Sequence, residues 1–481
     1  MKSIKKNYLY NLSYNLLSVL LPLIVAPYLS RVLGVEGVGT ASYTLSIVSY
    51  FILFSNLGIA TYGQREISMH RDNKYLYSKK VYEIGLFRII STIICIIIYY
   101  FLFVSTYINK QYNIIYFILM LNILANAFDF SWFLRGLEEF KYTSTFQIIS
   151  KLLYAVGIFV FVKDSDDLNI SILLSSISLL LTSFLTFLTL FKYCQKIPLN
   201  QLKIASHLKD CFIYFIPAIA TQIYTVLDKT MIGIFSTKIE NGYYEQADKL
   251  IKVILSLMTS LNSVMQSRAS YLFSKNNIDQ LKQYILKSFE FLSILSVPLT
   301  LGIMCVSSYF VPLFFGSNYD KVIVNLVIIS PVLVFIGISN LLGSHYLTPT
   351  GKRRISNRAI VLGAIINFSL NLILIRRYAS IGASISTIIA EGIIAIMYTF
   401  YSSEVINFRD ILKIFYNKLL AGLVMCCVVL LLKHILVIDW FSLIIMCAAG
   451  AVIYFMVLYL LKDKFFIEIT NMAKGKLGGT K

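Results

Sequence analysis

The chain has 481 residues, of which 58% are hydrophobic and only 14% are charged, and its mean hydropathy is +0.75. Soluble proteins carry roughly 25% charged residues, so this composition excludes a soluble domain organisation and predicts a membrane protein throughout. The formal net charge of +19 then indicates basic cytoplasmic loops under the positive-inside rule, and it does not indicate a nucleic-acid partner.

Apolar segments long enough to cross a bilayer recur from one end of the chain to the other. A helical span needs about 20 mostly apolar residues, and charged, Pro, Gly and Asn residues separate about fourteen such segments. In chain order the predicted spans are 11–31, 40–61, 83–105, 112–134, 145–162, 169–191, 211–235, 246–267, 288–308, 322–345, 358–375, 380–401, 418–436 and 440–461. The sequence therefore predicts an all-α polytopic membrane protein.

The distribution of basic residues between consecutive loops predicts the orientation of the spans. Lys and Arg cluster before the first span, between the second and third spans, and after the last span. Loops on the opposite side are short, and one of them carries Asp164, Asp166 and Asp167. This bias places both the N-terminus and the C-terminus on the cytoplasmic side.

Motifs of soluble enzymes are missing from the sequence. It contains no GxxxxGK[ST] phosphate loop, GxSxG elbow, HExxH pair or CxxC pair, and its cysteines and histidines are scattered. We therefore expect no enzyme activity, no metal site and no cofactor. If the protein moves a solute, the energy comes from an ion gradient, from the substrate gradient or from a partner.

Polar and charged residues recur within the apolar spans, often with helical spacing, although an ionisable group at membrane depth costs about 2.5–3.5 kcal/mol on insertion scales. The cationic candidates for a substrate-binding cavity are Arg88, Lys151, Lys229, Lys249 and Lys252. The candidates for a polar cavity or for ion coupling are Asn122, Asn126, Asp129, Thr225 and Asp228. Asn122, Asn126 and Asp129 share one face of the fourth span.

Two interpretations of these residues stay open. Polar stripes on several helices suit a shared hydrated cavity, and cations in that cavity suit an anionic substrate such as a diphosphate. Alternatively, the Ser and Asn residues join helices by hydrogen bonds, while Asp228 with Lys229 and Asp248 with Lys252 form local ion pairs. Lys249 and Lys252 also fall where a long side chain can reach the membrane surface.

Four segments resemble a known family. PYLSRVLGVEGVGTASYTLSIVSYF and NLGIATYGQREIS resemble the N-terminal signature of polysaccharide (Wzx-type) flippases. YTVLDKTMIG and NGYYEQADKLIK resemble the start of the second half of that family. In this resemblance Asp228 and Lys229 match the family's Asp-Lys pair, and Lys249 matches the lysine of its YYEQADK segment. The absence of Arg from the second span departs from lipid II flippases.

The resemblance implies the multidrug/oligosaccharidyl-lipid/polysaccharide exporter fold, in which two pseudo-symmetric six-helix lobes switch between inward-open and outward-open states. The expected division is 1–195 for the N-lobe, 200–405 for the C-lobe, 410–465 for two further helices, and 466–481 for a cytoplasmic tail. Repeated motifs roughly 210 residues apart favour the same two halves.

The resemblance further implies a flippase of the cytoplasmic (inner) membrane. Its substrate would be an undecaprenyl-diphosphate-linked oligosaccharide for capsule, O-antigen or a related polysaccharide. Membrane lipids, a polysaccharide polymerase and a chain-length regulator are the expected partners, and coupling to H⁺ or Na⁺ stays open. The alternatives are a lipid II, teichoic-acid or drug exporter of the same fold, and a membrane-embedded polymerase or glycosyltransferase. The short external loops disfavour the enzyme class.

Overall fold

The structure, a computed structural model, describes residues 4–105, 111–259 and 262–478. The regular elements in these ranges are all helical, which confirms the predicted all-α class. The α-helices are α1 (Ile4–Asn56), α2 (Ile59–His70), α3 (Lys74–Tyr99), α4 (Asn113–Phe128), α5 (Ser131–Gly136), α6 (Phe140–Phe161), α7 (Leu168–Leu188), α8 (Leu190–Tyr193), α9 (Leu208–Phe235), α10 (Lys238–Thr259), α11 (Asn262–Ser274), α12 (Ile278–Phe315), α13 (Asp320–Ile329), α14 (Val332–Leu342), α15 (Arg353–Tyr401), α16 (Phe408–Ile435), α17 (Trp440–Leu460) and α18 (Lys464–Gly478).

The predicted multi-pass membrane architecture is confirmed. Within the described ranges, ten helical segments are long and apolar enough to cross a membrane. Two of these segments, Leu12–His70 and Arg353–Tyr401, each cover two predicted spans. The seventh predicted span lies on α9, and the described residues of the eighth lie on α10 and α11, so the structure is consistent with about fourteen crossings.

Local backbone breaks separate the paired spans in both long segments. Gly34 interrupts α1 with a φ of 67° and a ψ of 179°, a conformation that is accessible to glycine because it has no Cβ. Ala379 interrupts α15 with a φ of 50° and a ψ of −124°. A non-glycine residue in such a region costs on the order of 1–3 kcal/mol, so the surrounding packing must hold Ala379 in place.

The chain divides into two compact units, residues 1–242 and 243–481. This division does not test the two lobes and the tail that we expect from the sequence, so they stay a prediction. In the first unit, α1 packs against α3, α4, α6 and α9, and α4 packs against α7. The short helix α5 buries Trp132 against α2, where a Cβ added to Gly63 would lie 2.5 Å from the indole ring.

In the second unit, α12 is the central helix and packs against α14, α16 and α17. Its core contains Met425 and Met446, which are buried together with Tyr454. The end of α16 is fixed by Tyr309 of α12, whose hydroxyl donates to the Leu436 carbonyl oxygen at 2.7 Å. Side chains from three membrane helices therefore build one apolar core in this unit.

Candidate functional site

Arg88 lies at the centre of a polar network inside the first unit. Its side chain is only 1% exposed, and its guanidinium donates to the Asp129 carbonyl oxygen at 2.6 Å and to the Asn126 side-chain oxygen. The Asp129 carboxylate lies 3.3 Å from the same guanidinium. Asn126 in turn donates to the Ser55 hydroxyl at 2.6 Å. The structure thus brings together three of the residues that the sequence singled out.

This network has an evident structural role. Helix α4 ends at Phe128, and the Asp129 backbone turns extended with a φ of −80° and a ψ of 101° before α5 begins. The Asp129 carboxylate accepts from the Ser131 backbone at 3.0 Å, while Arg88 binds the Asp129 carbonyl group. Because a helix break exposes backbone polar groups, a buried cation that binds one of them stabilises the break. Asn122, which precedes Asp129 by about two helical turns, is also buried on α4.

Lys151 of α6 has a different environment. Its ammonium group donates to the Ser18 hydroxyl of α1 at 2.8 Å and lies 4.8 Å from the centroid of the Tyr14 ring. The side chain is half-buried, and no carboxylate of the described ranges lies within ion-pair distance of it. Among the described residues, a hydroxyl and an aromatic face are therefore the groups that compensate its positive charge.

The polar residues of α9 separate into two kinds. Thr225 is exposed and donates to the Gln222 carbonyl oxygen of its own helix at 3.0 Å. Asp228 is buried and Lys229 is half-buried, and both have interaction partners. One residue further on, the Thr230 hydroxyl donates to the Ser46 hydroxyl at 2.9 Å and thereby connects α9 to α1.

The lysines of α10 pair with carboxylates of their own helix. The Lys252 ammonium group lies 2.7 Å from the Asp248 carboxylate, the local pairing that the sequence left open. Lys249 lies 3.5 Å from Glu245 at the same spacing of four residues. The side chains of Lys249 and Lys252 are 37% and 49% exposed, so neither lysine contributes an uncompensated buried charge.

Sequence reasoning missed two buried polar clusters, one in each unit. The first joins His207 to Glu83 at 2.9 Å and to the Tyr62 hydroxyl at 2.7 Å. The second joins Lys418 to Asp463 at 2.9 Å and also to Glu290. The members of each cluster are far apart along the chain, so no spacing rule could have found them.

The candidate site is characterised by its cations. Across the part of the chain that the structure describes, no group of three or more His, Cys, Asp or Glu side chains is placed to hold a metal ion. The cations of the first unit offer charge and hydrogen-bond donors, which suit the phosphate oxygens of an anionic ligand.

Comparison with known sequences identifies relatives along most of the chain. The family described as polysaccharide biosynthesis protein matches residues 4–266, more than half of the chain. A putative O-antigen transporter of Escherichia coli (strain K12) is 24% identical over 399 residues, which cover 82% of this chain and 95% of that relative. A probable low-salt glycan biosynthesis flippase, Agl15 of Haloferax volcanii, is 24% identical over 194 residues, which cover 40% of this chain and 41% of that relative.

Comparison with solved structures identifies the fold. The lipid II flippase MurJ in an inward closed conformation has a TM-score of 0.75 at 18% identity, and the match covers 94% of this chain and 98% of that one. An inward-facing multidrug resistance transporter of the MATE family has a TM-score of 0.64 at 12% identity, with 82% of this chain and 97% of that one covered. The expected exporter fold is confirmed.

Proposed function

The chain belongs to the polysaccharide biosynthesis protein family, and we propose that it transports lipid-linked saccharides across the cytoplasmic membrane. The names of its relatives, putative O-antigen transporters and a glycan flippase, support this proposal. In its finer form, the substrate is an undecaprenyl-diphosphate-linked oligosaccharide for capsule, O-antigen or a related polysaccharide. The protein moves it by alternating access, without covalent change, and both termini lie in the cytoplasm. A polysaccharide polymerase and a chain-length regulator are its proposed partners.

The observation that carries the proposal is the environment of Lys151. A lysine within an apolar helix is costly unless a partner or water compensates its charge. In the part of the chain that the structure describes, the compensation comes from Ser18 and Tyr14. A diphosphate headgroup provides the missing negative charge and several acceptor oxygens. Tyr14 can also offer its ring to a sugar, since aromatic faces pack well against apolar surfaces.

The other candidate cations differ from Lys151 in their contacts. Arg88 is already bound to Asn126 and Asp129, so we assign it a positioning role and leave it out of the proposed headgroup contacts. Lys249 and Lys252 are paired within α10, and they contribute at most through their exposed ends. Lys229 remains a proposed contact. Coupling to H⁺ or Na⁺ through Asp129 or Asp228 also remains a proposal.

The experiment is a complementation test in a strain from which the gene is deleted. We expect the lipid-linked glycan to accumulate on the cytoplasmic leaflet of this strain and the wild-type gene to restore its export. Lys151→Ala removes one charge-assisted contact, worth about 1.5–3 kcal/mol, and should reduce export by about tenfold to a hundredfold at equal protein level. Lys151→Arg should retain most of the export because the charge stays.

A matched control is available at the end of the same helix. Lys163 is exposed just after α6, so Lys163→Ala should export glycan at the wild-type rate. Wild-type export by Lys151→Ala would remove this residue from the proposed site. If a different lipid-linked precursor or a drug accumulated in the deletion strain, an exporter of the same fold with another substrate would replace the proposal.

A further inference from the structure

Helix α18 follows the last predicted membrane span after a short turn, and the proposed transport does not use it. Helix α17 ends at Leu460, and α18 covers Lys464–Gly478. The 15 residues of α18 are fewer than the roughly 20 that a helix needs to cross a bilayer. A helix of this length beside the end of a span can instead lie along the membrane surface.

A buried ion pair sets the direction in which α18 leaves α17. The carboxylate of Asp463 is buried and lies 2.9 Å from the ammonium group of Lys418 in α16. The same carboxylate accepts from the backbone N–H of Phe466 at 3.1 Å and thereby caps the first turn of α18. Lys462, in the turn, has a left-handed φ of 53°, which bends the chain sharply. The start of α18 therefore has a fixed position beside α16 and α17.

Further contacts place the first turns of α18 at the level where membrane spans end. The ring of Phe466 is stacked on that of Phe455 in α17, with centroids 5.5 Å apart. Glu468 pairs with Lys287 of α12 at 2.8 Å, and Lys287 directly precedes the predicted span 288–308. The end of a span marks the boundary between the hydrocarbon core and the lipid headgroups. These contacts therefore indicate that α18 lies at the depth of the headgroups.

The faces of α18 differ in their chemistry. Phe465 and Ile469 are four residues apart and therefore share one face of the helix. Phe465 packs against the apolar core of the second unit, whereas Ile469 is exposed. Lys464 and Asn471, which are seven residues apart, are exposed on a different face. An exposed apolar residue beside a polar face is typical of a helix that lies in the membrane interface.

The charge at this end of the chain is strongly positive. Residues 462–481 contain five lysines and two acidic residues. Both acidic residues, Asp463 and Glu468, pair with lysines of α16 and α12. Among the lysines that the structure describes, Lys462 and Lys464 are exposed. A cluster of lysines directly after a membrane span is suited to binding anionic headgroups.

We propose that α18 lies on the membrane surface and binds anionic phospholipids. Its lysines contact the phosphate headgroups, while Ile469 enters the boundary of the acyl chains. The occupant is lipid rather than an acidic protein because the pair of Glu468 with Lys287 fixes α18 at the depth of the headgroups. This binding is independent of the proposed glycan transport and of Lys151.

The test is hydrogen–deuterium exchange of the full-length protein in two kinds of nanodisc. One kind contains phosphatidylcholine alone, and the other contains an equal mixture of phosphatidylcholine and the anionic phosphatidylglycerol. We expect the backbone amides of 464–478 to exchange about tenfold more slowly in the anionic discs, because several lysines contribute to the binding. The difference should decrease at high salt, which screens exposed charges.

Two variants separate the binding from a general effect of charge. Replacement of four lysines of this segment by Gln should make the exchange of 464–478 equal in both discs; the replaced residues are Lys462, Lys464, Lys474 and Lys476. The matched control replaces four exposed lysines of the first unit by Gln and should retain the tenfold difference; these are Lys74, Lys141, Lys196 and Lys209. In both variants the membrane spans should exchange as in the wild type, which shows that the protein is folded.

A third variant tests the apolar contribution with all lysines in place. Ile469→Ser removes the exposed apolar side chain and should reduce the difference between the discs about threefold. Equal exchange of 464–478 in both discs by the wild-type protein would overturn the proposal and favour a protein partner for α18. A full tenfold difference in the variant without the four lysines would also overturn it.

Discussion

Replacement of Arg88 distinguishes a structural cation from a substrate-binding one. Arg88→Met retains the length and apolar stem of the side chain but removes every donor to Asn126 and Asp129. Removing one partner of a buried charged network costs about 3–5 kcal/mol, because the remaining polar groups stay buried without compensation. At about 2 °C per kcal/mol, the value for a domain of about 250 residues and therefore for a unit such as residues 1–242, the midpoint of thermal unfolding should fall by about 6–10 °C.

The assay measures both thermal unfolding and glycan transport for the purified variants. Arg88→Lys keeps the charge but replaces a planar group of several donors by one ammonium group, so we expect about half of the loss in stability. Transport per folded molecule should stay within about twofold of the wild type for both variants, because a lost stabilising contact leaves the folded site intact. An unchanged unfolding midpoint combined with a tenfold or larger loss of transport would refute the positioning role and make Arg88 a headgroup contact.

Two further predictions concern the stability of each unit. Lys418→Met leaves Asp463 and Glu290 together without their shared cation, and should lower the free energy of unfolding by about 3–5 kcal/mol near pH 7. Adding Glu290→Gln to this variant should recover part of the loss. A Lys418→Met protein as stable as the wild type would contradict the prediction. Burial lowers the pKa of Lys238 to about 8 from 10.5, beside the ring of Tyr43. Between pH 8 and pH 10.5 the lysine is protonated in the unfolded chain and largely neutral in the folded one. The contribution of Lys238 to stability should therefore increase from pH 8 to pH 10. Unfolding midpoints of wild type and Lys238→Met that change in parallel over this range would exclude the effect.

Much of the fold could be predicted because membrane helices are encoded locally. Apolar runs of sufficient length set the spans, and the bends at Gly34 and Ala379 fall between predicted spans. Hydropathy does not predict that the helix continues through these bends. It also does not predict the short helix α5, since tertiary packing decides where a span breaks.

The sequence predicts which polar residues lie within the spans and which helix face they share, but it does not predict their interaction partners on other helices. The spacing of Asn126 and Asp129 placed them on one side of a helix, and the pairing of Lys252 with Asp248 follows from their separation of four residues. In contrast, Arg88 reaches Asn126 and Asp129 from α3, and Lys418 reaches Glu290 across 128 residues. Such contacts depend on which helices become neighbours, and one sequence does not contain that information.

Transport by the purified protein in liposomes shows whether the protein itself moves lipid-linked glycan across a membrane. The measurement follows the passage of a fluorescent undecaprenyl-diphosphate-linked oligosaccharide from the inner to the outer leaflet, with empty liposomes and Lys151→Ala as comparisons. We predict rapid passage with the wild-type protein and passage slowed about tenfold or more by Lys151→Ala, because this variant lacks the proposed contact with the diphosphate. Passage with the wild-type protein that is no faster than in empty liposomes would contradict the proposed transport.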